Sequence, residues 1–457
     1  MSCASLEKGE KKMSAWIQYP DFSELETLKL EVCEYARLKC EQGAPKEAAE
    51  RIQELIEDIR RVVQDLQAIP NDPTLAEKEP DDLEHIRALR TPGPRRLWKK
   101  LPSEDVLLDK LEGALIARAA GCLLGAPVEG ETVEGMRAWA DYTGKQFPPV
   151  DYWEQVRSPE VRNTYGTYRH AYQKHEMETA PVDDDLVYTQ LALLILEEYG
   201  LDFTTEDVGR AWMKYLPFAC TAEEVTLKNL HEGMSARKAA EYRNPYRQWI
   251  GAAIRSDGFG WAAAGAPERA AETAWRDGVL SHRRNGVYGE MLLAAAQSAA
   301  FAVEDPLDAM RIALTEIPAE SLLHQDIEWA LSHCEEVEDC YEARRLVDER
   351  FAGMHAVHTN NNLCLIVFGL ALGRNDPVRG ISQTVAMGLD CDCTAASVGS
   401  VLGAVYGKKA IPPYLYERFH DIMETYLIGQ RPFSITDTAR RYLKLLRETY
   451  RRLGEEE

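Results

Sequence analysis

Near its C-terminal end the chain has an apolar, helix-patterned stretch with Ala395, Gly399, Gly403 and Gly407, a small residue at every fourth position. That spacing puts the four on one helix face. Glycine inside a helix costs roughly 1 kcal/mol relative to alanine, so a stripe of it needs a compensating gain. The simplest gain is a second helix whose backbone approaches closely along that face. The stretch is therefore expected at the centre of a helical fold. Its entrance is Asp390-Cys391-Asp392-Cys393-Thr394, and a second acidic run, Asp183-Asp184-Asp185, leads in the same way into Leu186-Val187-Tyr188-Thr189-Gln190-Leu191.

The remaining pattern agrees with an all-α fold. Helical spacing of apolar residues recurs over Asp109 to Leu124, Leu186 to Tyr199, Tyr288 to Val303, Ser321 to Glu336, Leu363 to Leu372 and Ile435 to Leu453, and no pair of alternating β-branched runs suggests a strand hairpin. Residues 1–69 read as an N-terminal helical hairpin. Leu25, Leu28, Val32, Tyr35 and Leu38 lie on one arm, Ile52, Leu55, Ile56, Ile59, Val62, Val63 and Leu66 on the other, and Gly43-Ala44-Pro45 breaks them. Residues 70–102 contain Pro70, Pro73, Pro80, Pro92, Pro94 and Pro102 and read as a linker that wraps or tethers. Residues 103–457 are the expected body, a compact helical bundle. The hairpin carries no chemistry and is expected to serve packing or homo-oligomer formation.

Charge and composition narrow the function. A net charge of −22 argues against general nucleic-acid binding and against a membrane surface. The longest apolar run, Leu363 to Leu372, is too short to span a bilayer. The start Met1-Ser2-Cys3-Ala4 lacks the basic and apolar regions of a secretory signal. Ten scattered cysteines form no disulfide framework, and a reducing cytoplasm is the expected location.

The two acidic runs carry the chemistry. Each alone reads as helix capping, since carboxylates at a helix start accept backbone N–H bonds and complement the dipole. Five carboxylates in one pocket repel and need a counter-charge. Hard divalent cations with oxygen ligands supply it. In an extended segment Asp390 and Asp392 would point to the same side and could face one cation. Other polar islands interrupt apolar helices: Glu129 after Gly125-Ala126-Pro127-Val128, the loop from Ser281 to Gly289, and His358-Thr359-Asn360-Asn361-Asn362. Each has capping or turn formation as its first reading.

In order and wording these islands resemble the ADP-ribosylglycohydrolase family. The matching stretches are Asp109 to Glu129 (DKLEGALIARAAGCLLGAPVE), Pro181 to Thr189 (PVDDDLVYT), Ile254 to Trp261 (IRSDGFGW), Ser281 to Glu290 (SHRRNGVYGE), His358 to Asn362 (HTNNN) and Gly388 to Gly407 (GLDCDCTAASVGSVLGAVYG). The resemblance implies an all-helical bundle around two Mg²⁺ ions, with Mn²⁺ or Ca²⁺ as substitutes. Asp183, Asp184 and Asp185 would supply one side of that centre, and Asp390 and Asp392 the other, with either Cys393 or Thr394 as a further ligand. Glu129, Asp184 and Asp185 would be catalytic. His282, Asn285, Tyr288 and Asn361 would bind the substrate. The family often has Asp at the place of Cys122 and Thr at the place of Cys393, and sulfur is a poor partner for Mg²⁺. The implied reaction cleaves the bond at the anomeric carbon of ADP-ribose attached to an acceptor. Carboxylates there would stabilise an oxocarbenium-like transition state. The alternatives are a hydrolase of a free riboside or small N-glycoside, and a non-catalytic ADP-ribose-binding relative, against which the intact carboxylate set speaks.

Overall fold

Two helices lie backbone to backbone at the centre of the larger unit of the computed structural model, Glu104–Gly125 and Cys391–Tyr406. The structure describes residue 17, residues 19–154, residue 156 and residues 170–454. A Cβ placed on Gly121 would lie 2.1 Å from the Ala395 carbonyl oxygen. One on Gly399 would lie 2.2 Å from that of Ala117, and one on Gly403 2.3 Å from that of Gly113. The small-residue stripe is thus met by a second one, Gly113, Ala117 and Gly121, on the partner helix. Alanine at these glycines would drive a methyl group into backbone, which no rotamer change relieves.

Around this pair pack Asp184–Tyr199, Asn285–Ala300, Thr359–Leu372, Pro377–Ala386 and Ile435–Arg452. The Asn285–Ala300 helix is buried at every position, which is why it is apolar all round rather than striped. The segment Glu104–Val128 is long and apolar enough to cross a membrane, but 94% of its most apolar window is buried inside the fold. Its composition reflects a core helix. Among the described residues the only sheet is Ile422–Met423 paired antiparallel with Phe433–Ser434, so the fold is all-α.

The chain divides into two units, Met1–Glu77 with Phe351–Met354, and Lys78–Arg350 with His355–Glu457. The first contains the expected hairpin, Ser23–Glu41 and Pro45–Ala68, although residues 1–16 and 18 lie outside the described residues. The division at Glu77/Lys78 differs from the expected linker over 70–102. Most of the proline-containing segment is part of the larger unit. Arg90 pairs with the fully buried Glu316 and, at 2.9 Å, with Glu268. Arg95 reaches Glu316 at 2.7 Å. The Leu97 amide donates to the Gly265 carbonyl at 2.7 Å. Prolines exclude a long helix here, yet charged side chains fasten an extended chain to the body as firmly as apolar ones. Composition alone does not distinguish a fastened strap from a free linker.

Candidate metal and substrate site

The two acidic runs meet at a cavity of about 380 Å³. Its wall includes Glu129, Asp183, Asp184, Asp185, Asp390, Asp392 and Cys393. Asp183 caps the Asp184–Tyr199 helix: its Oδ1 accepts from the Asp185 amide at 3.2 Å, and the Tyr172 hydroxyl donates to its Oδ2 at 3.3 Å. Asp390 is the residue before the Cys391–Tyr406 helix, and Asp392 lies in the first turn of that helix. The segment is not extended, as the Asp-x-Asp spacing suggested. The two carboxylates converge because the chain turns into a helix between them.

Several neighbours fix that turn. Gly388 and Leu389 both have left-handed backbone, φ +70° and +59°, a conformation that costs little at glycine and is uncommon for leucine. Strain of this kind gathers at functional sites. The Leu389 carbonyl accepts from the Gly130 amide at 3.1 Å, tying this turn to the loop that carries Glu129. The Asp390 amide donates to Asn362 Oδ1 at 3.3 Å, and the Asn362 side-chain amide donates to the Ala356 and His358 carbonyls at 2.7 and 2.9 Å. In the row of asparagines, Asn362 is therefore the one that holds the site.

Among the described residues two triplets have ligand atoms within 4.8 Å of one another: Glu129 with Asp390 and Asp392, and Cys122 with Asp183 and Asp185. The electrostatics are those of crowded acid. Burial, then the charges of Glu129, Asp184 and Asp183, push the Asp390 carboxyl up to about 7, against a hydrogen bond with Asp392. Burial and the neighbouring Asp390 and Glu129 push Asp392 well up. Burial and Asp183 do the same to Asp185, with Arg118 opposing. Arg118 is a buried counter-charge, but it sits 2.7 Å from Asp257 and 3.6 Å from Asp185. It also donates to the Asp185 carbonyl at 2.6 Å and the Ile254 carbonyl at 2.8 Å. One shared arginine does not neutralise this wall. Asp185 Oδ1 is buried without a hydrogen-bond partner. Oxygen donors in excess of their counter-charge fit hard divalent cations. The Cys122 sulfur makes the deeper triplet softer.

Of the alternative ligands, Cys393 faces the cavity. Thr394 is fully buried and is not among the lining residues, and its hydroxyl has no hydrogen-bond partner. His282, Asn285, Tyr288 and Asn361 are buried elsewhere and do not line the cavity. The Asn285 side-chain amide donates to Glu79 and Gln248 at 3.1 and 2.9 Å, and the Tyr288 hydroxyl donates to the Pro80 carbonyl at 2.5 Å. The His282 ring lies 2.8 Å from the Ser281 hydroxyl. The Asn361 amide donates to the His355 carbonyl at 3.0 Å. This loop clamps residues 79–81, a partner some two hundred positions away that local spacing does not reveal.

Lining residues outside the motifs include Phe218, Cys220, Glu223, Trp249 and Tyr426. Phe218 and Tyr426 have ring centroids 4.6 Å apart. Glu223 is held by the buried Arg255 at 2.5 Å, and Arg255 also meets Asp277 at 2.5 Å and Glu290 at 3.3 Å. The available signal was the arginine inside the apolar run before Ser256.

The sequence model of the ADP-ribosylglycohydrolase family matches residues 103–452, well over half of the chain. The chain belongs to the ADP-ribosylglycohydrolase family. Membership supports a glycohydrolase of that type. A solved structure described as an ADP-ribosylglycohydrolase-related protein complex is similar at 20% identity, covering 75% of this chain and 99% of its own, with a TM-score of 0.45. No curated protein matches.

Proposed function

We propose that the protein is a divalent-metal-dependent hydrolase that releases ADP-ribose from an acceptor by cleaving the bond at the anomeric carbon. The observation that carries this reading is the meeting of the two acidic runs on one cavity wall, with aromatic side chains lining the same cavity. Glu129, Asp390 and Asp392 would hold one cation, and Asp183 and Asp185, with Cys122 beside them, a second. Bound there, such ions supply positive charge and Lewis acidity for the ribose hydroxyls.

The protein's own groups do the rest. Carboxylates crowded around the sugar stabilise positive charge developing at the anomeric carbon. Asp184 lines the cavity and is partly exposed, and Glu129 is exposed. Either accepts a proton from an attacking water as general base. The rings of Phe218, Trp249 and Tyr426 offer faces for a planar base. The cavity volume lies at the low end of the roughly 300–1,000 Å³ typical of ligand sites, which favours a free riboside or small N-glycoside as the second reading.

The test strips the protein of metal, restores Mg²⁺ or Mn²⁺, and offers ADP-ribosylated acceptors beside free ribosides, identifying the released sugar. Release of ADP-ribose should require the cation and fall at least ~100-fold in Asp184→Asn and Asp390→Asn, a loss of about 2.7 kcal/mol of transition-state stabilisation. Undiminished cleavage in stripped protein and in both variants sinks the reading. Cleavage confined to the free ribosides selects the second one.

A further inference from the structure

The deeper of the two donor triplets contains a sulfur that a Mg²⁺ centre does not need. Cys122 lies in the last turn of the Glu104–Gly125 helix, and its Sγ is within 4.8 Å of a carboxylate oxygen of Asp183 and of Asp185. A core cysteine ordinarily behaves as a small hydrophobe. Cys364 and Cys391 do so, donating to the Asp326 and Gly125 carbonyls at 3.4 and 3.6 Å. Among the described residues Cys122 donates to no such acceptor; its neighbours are two carboxylates, 7% and 4% exposed. Asp185 Oδ1 lacks a hydrogen-bond partner, and the Arg118 guanidinium, 3.6 Å away, is held at 2.7 Å by Asp257. The three donors are also fixed in place. Arg118, one turn before Cys122, donates to the Asp185 carbonyl at 2.6 Å, so the helix that carries the thiol pins its carboxylate neighbour. Gly121 and Gly125 flank Cys122, and a Cβ on them would lie 2.1 and 2.5 Å from backbone of the Cys391–Tyr406 helix or its first turn. Asp183 is held by its cap to the Asp185 amide.

We propose that Cys122, Asp183 and Asp185 form a site for a thiophilic divalent transition ion of the Zn²⁺ class, beside a Mg²⁺ site at Glu129, Asp390 and Asp392. The inference rests on the metal centre of the proposed function and goes beyond it by assigning different ions to the two sites. Ligand chemistry separates them. Thiolate selects Zn²⁺ and similar ions over Mg²⁺, which takes oxygen donors and keeps much of its water. The Glu129 triplet offers oxygen alone; the Cys122 triplet offers one sulfur and two oxygens. Three protein donors, including cysteine, with one side left open are the donor count of a catalytic zinc site. Here Asp183 and Asp185 line the cavity, while Cys122 is fully buried and does not. On binding, the ion displaces the thiol proton to solvent. The thiolate and two carboxylates then exceed the charge of a divalent ion by one, which Arg118 offsets.

The experiment strips the full chain with a chelator and titrates it with Co²⁺ in saturating Mg²⁺, reading the near-ultraviolet thiolate-to-Co²⁺ charge-transfer band. A single equivalent of Co²⁺ should bring up the band, and Zn²⁺ should abolish it by displacement where excess Mg²⁺ does not. Cys122→Ser, nearly isosteric, should remove the band and weaken Zn²⁺ binding at least ~100-fold, beyond the cost of losing a supporting partner, with Mg²⁺ binding to the other triplet retained. Cys393→Ser should keep the band. Asp185→Asn, which keeps the thiol, should weaken Zn²⁺ binding at least ~10-fold and answers for Cys122→Ser should that variant fail to fold. Co²⁺ bound without the band, a band displaced by Mg²⁺, or a band that survives Cys122→Ser and is lost in Cys393→Ser overturns the proposal. Those results leave the two-cation reading standing; a chain that binds no divalent ion at all sinks both.

Discussion

Gly125 ends one central helix where Asp392 begins the other. A Cβ at Gly125 would lie 2.5 Å from the Asp392 amide nitrogen and 2.6 Å from its Cα and from the Cys391 carbonyl oxygen. All three are backbone atoms, and ordinary contact needs about 1 Å more. Gly125→Ala must therefore displace the first turn of the Cys391–Tyr406 helix, and with it Asp392 relative to Glu129 and Asp390. Overpacking of this kind costs about 1–3 kcal/mol. At roughly 2.1 cal/mol/K per residue, that lowers the melting temperature of a unit this long by about 1–4 °C. Gly399→Ala makes an equally severe clash, 2.2 Å from the Ala117 carbonyl oxygen, but seven residues away, about 10 Å along the helix. The two variants should lose similar stability without metal. They should differ with it, since displacing a ligand by about 1 Å weakens cation affinity ~10–100-fold, the cost of losing a supporting partner. The added stabilisation at saturating Mg²⁺ should fall by about 1.4–2.7 kcal/mol in Gly125→Ala and little in Gly399→Ala. The assay is thermal unfolding against cation concentration, read by calorimetry. Equal loss of cation stabilisation in both variants would refute the claim that Gly125 positions the site.

Three further outcomes are expected. Burial pushes Glu223 up to about 7, with Arg255 opposing. The folded state keeps that proton where the unfolded chain has lost it, so stability drops as pH rises from about 4.5 toward 7. Glu223→Gln should flatten this drop by at most about 3 kcal/mol, at 1.36 kcal/mol per pH unit, in urea midpoints compared at pH 5 and 8; an unchanged slope rules it out. Cys393→Thr should tighten Mg²⁺ binding by calorimetric titration, because Cys393 faces the cavity and an oxygen suits a hard cation better. Thr394→Ala should leave that binding alone, and the reverse pattern would assign the ligand to Thr394. Removing residues 1–77 should leave a folded catalytic unit. Removing residues 1–102 strips Arg90 and Arg95 from the buried Glu316 and should cost about 3–5 kcal/mol; equal stability of the two truncations in urea would show that the strap is dispensable.

Helix content, the close central pair and the acidic entrances were legible in the sequence because each rests on local spacing. A four-residue stripe of small side chains has few readings besides helix contact, and Asp184 and Asp390 stand at helix starts where their type and position already point to capping or metal. The tertiary structure decided what lies opposite what. It placed Cys393 on the cavity and Thr394 off it, a difference of one step around a helix. It gave the Asp390 amide to Asn362 and kept Asn361 away. It turned the loop at His282, Asn285 and Tyr288 toward residues 79–81, and it brought Glu223, Phe218 and Tyr426 to the cavity from segments without a motif. Periodicity is a property of neighbouring residues, so a chain displays it directly. The partner of a buried polar group is set by packing between residues hundreds of positions apart, and only the folded chain brings them together.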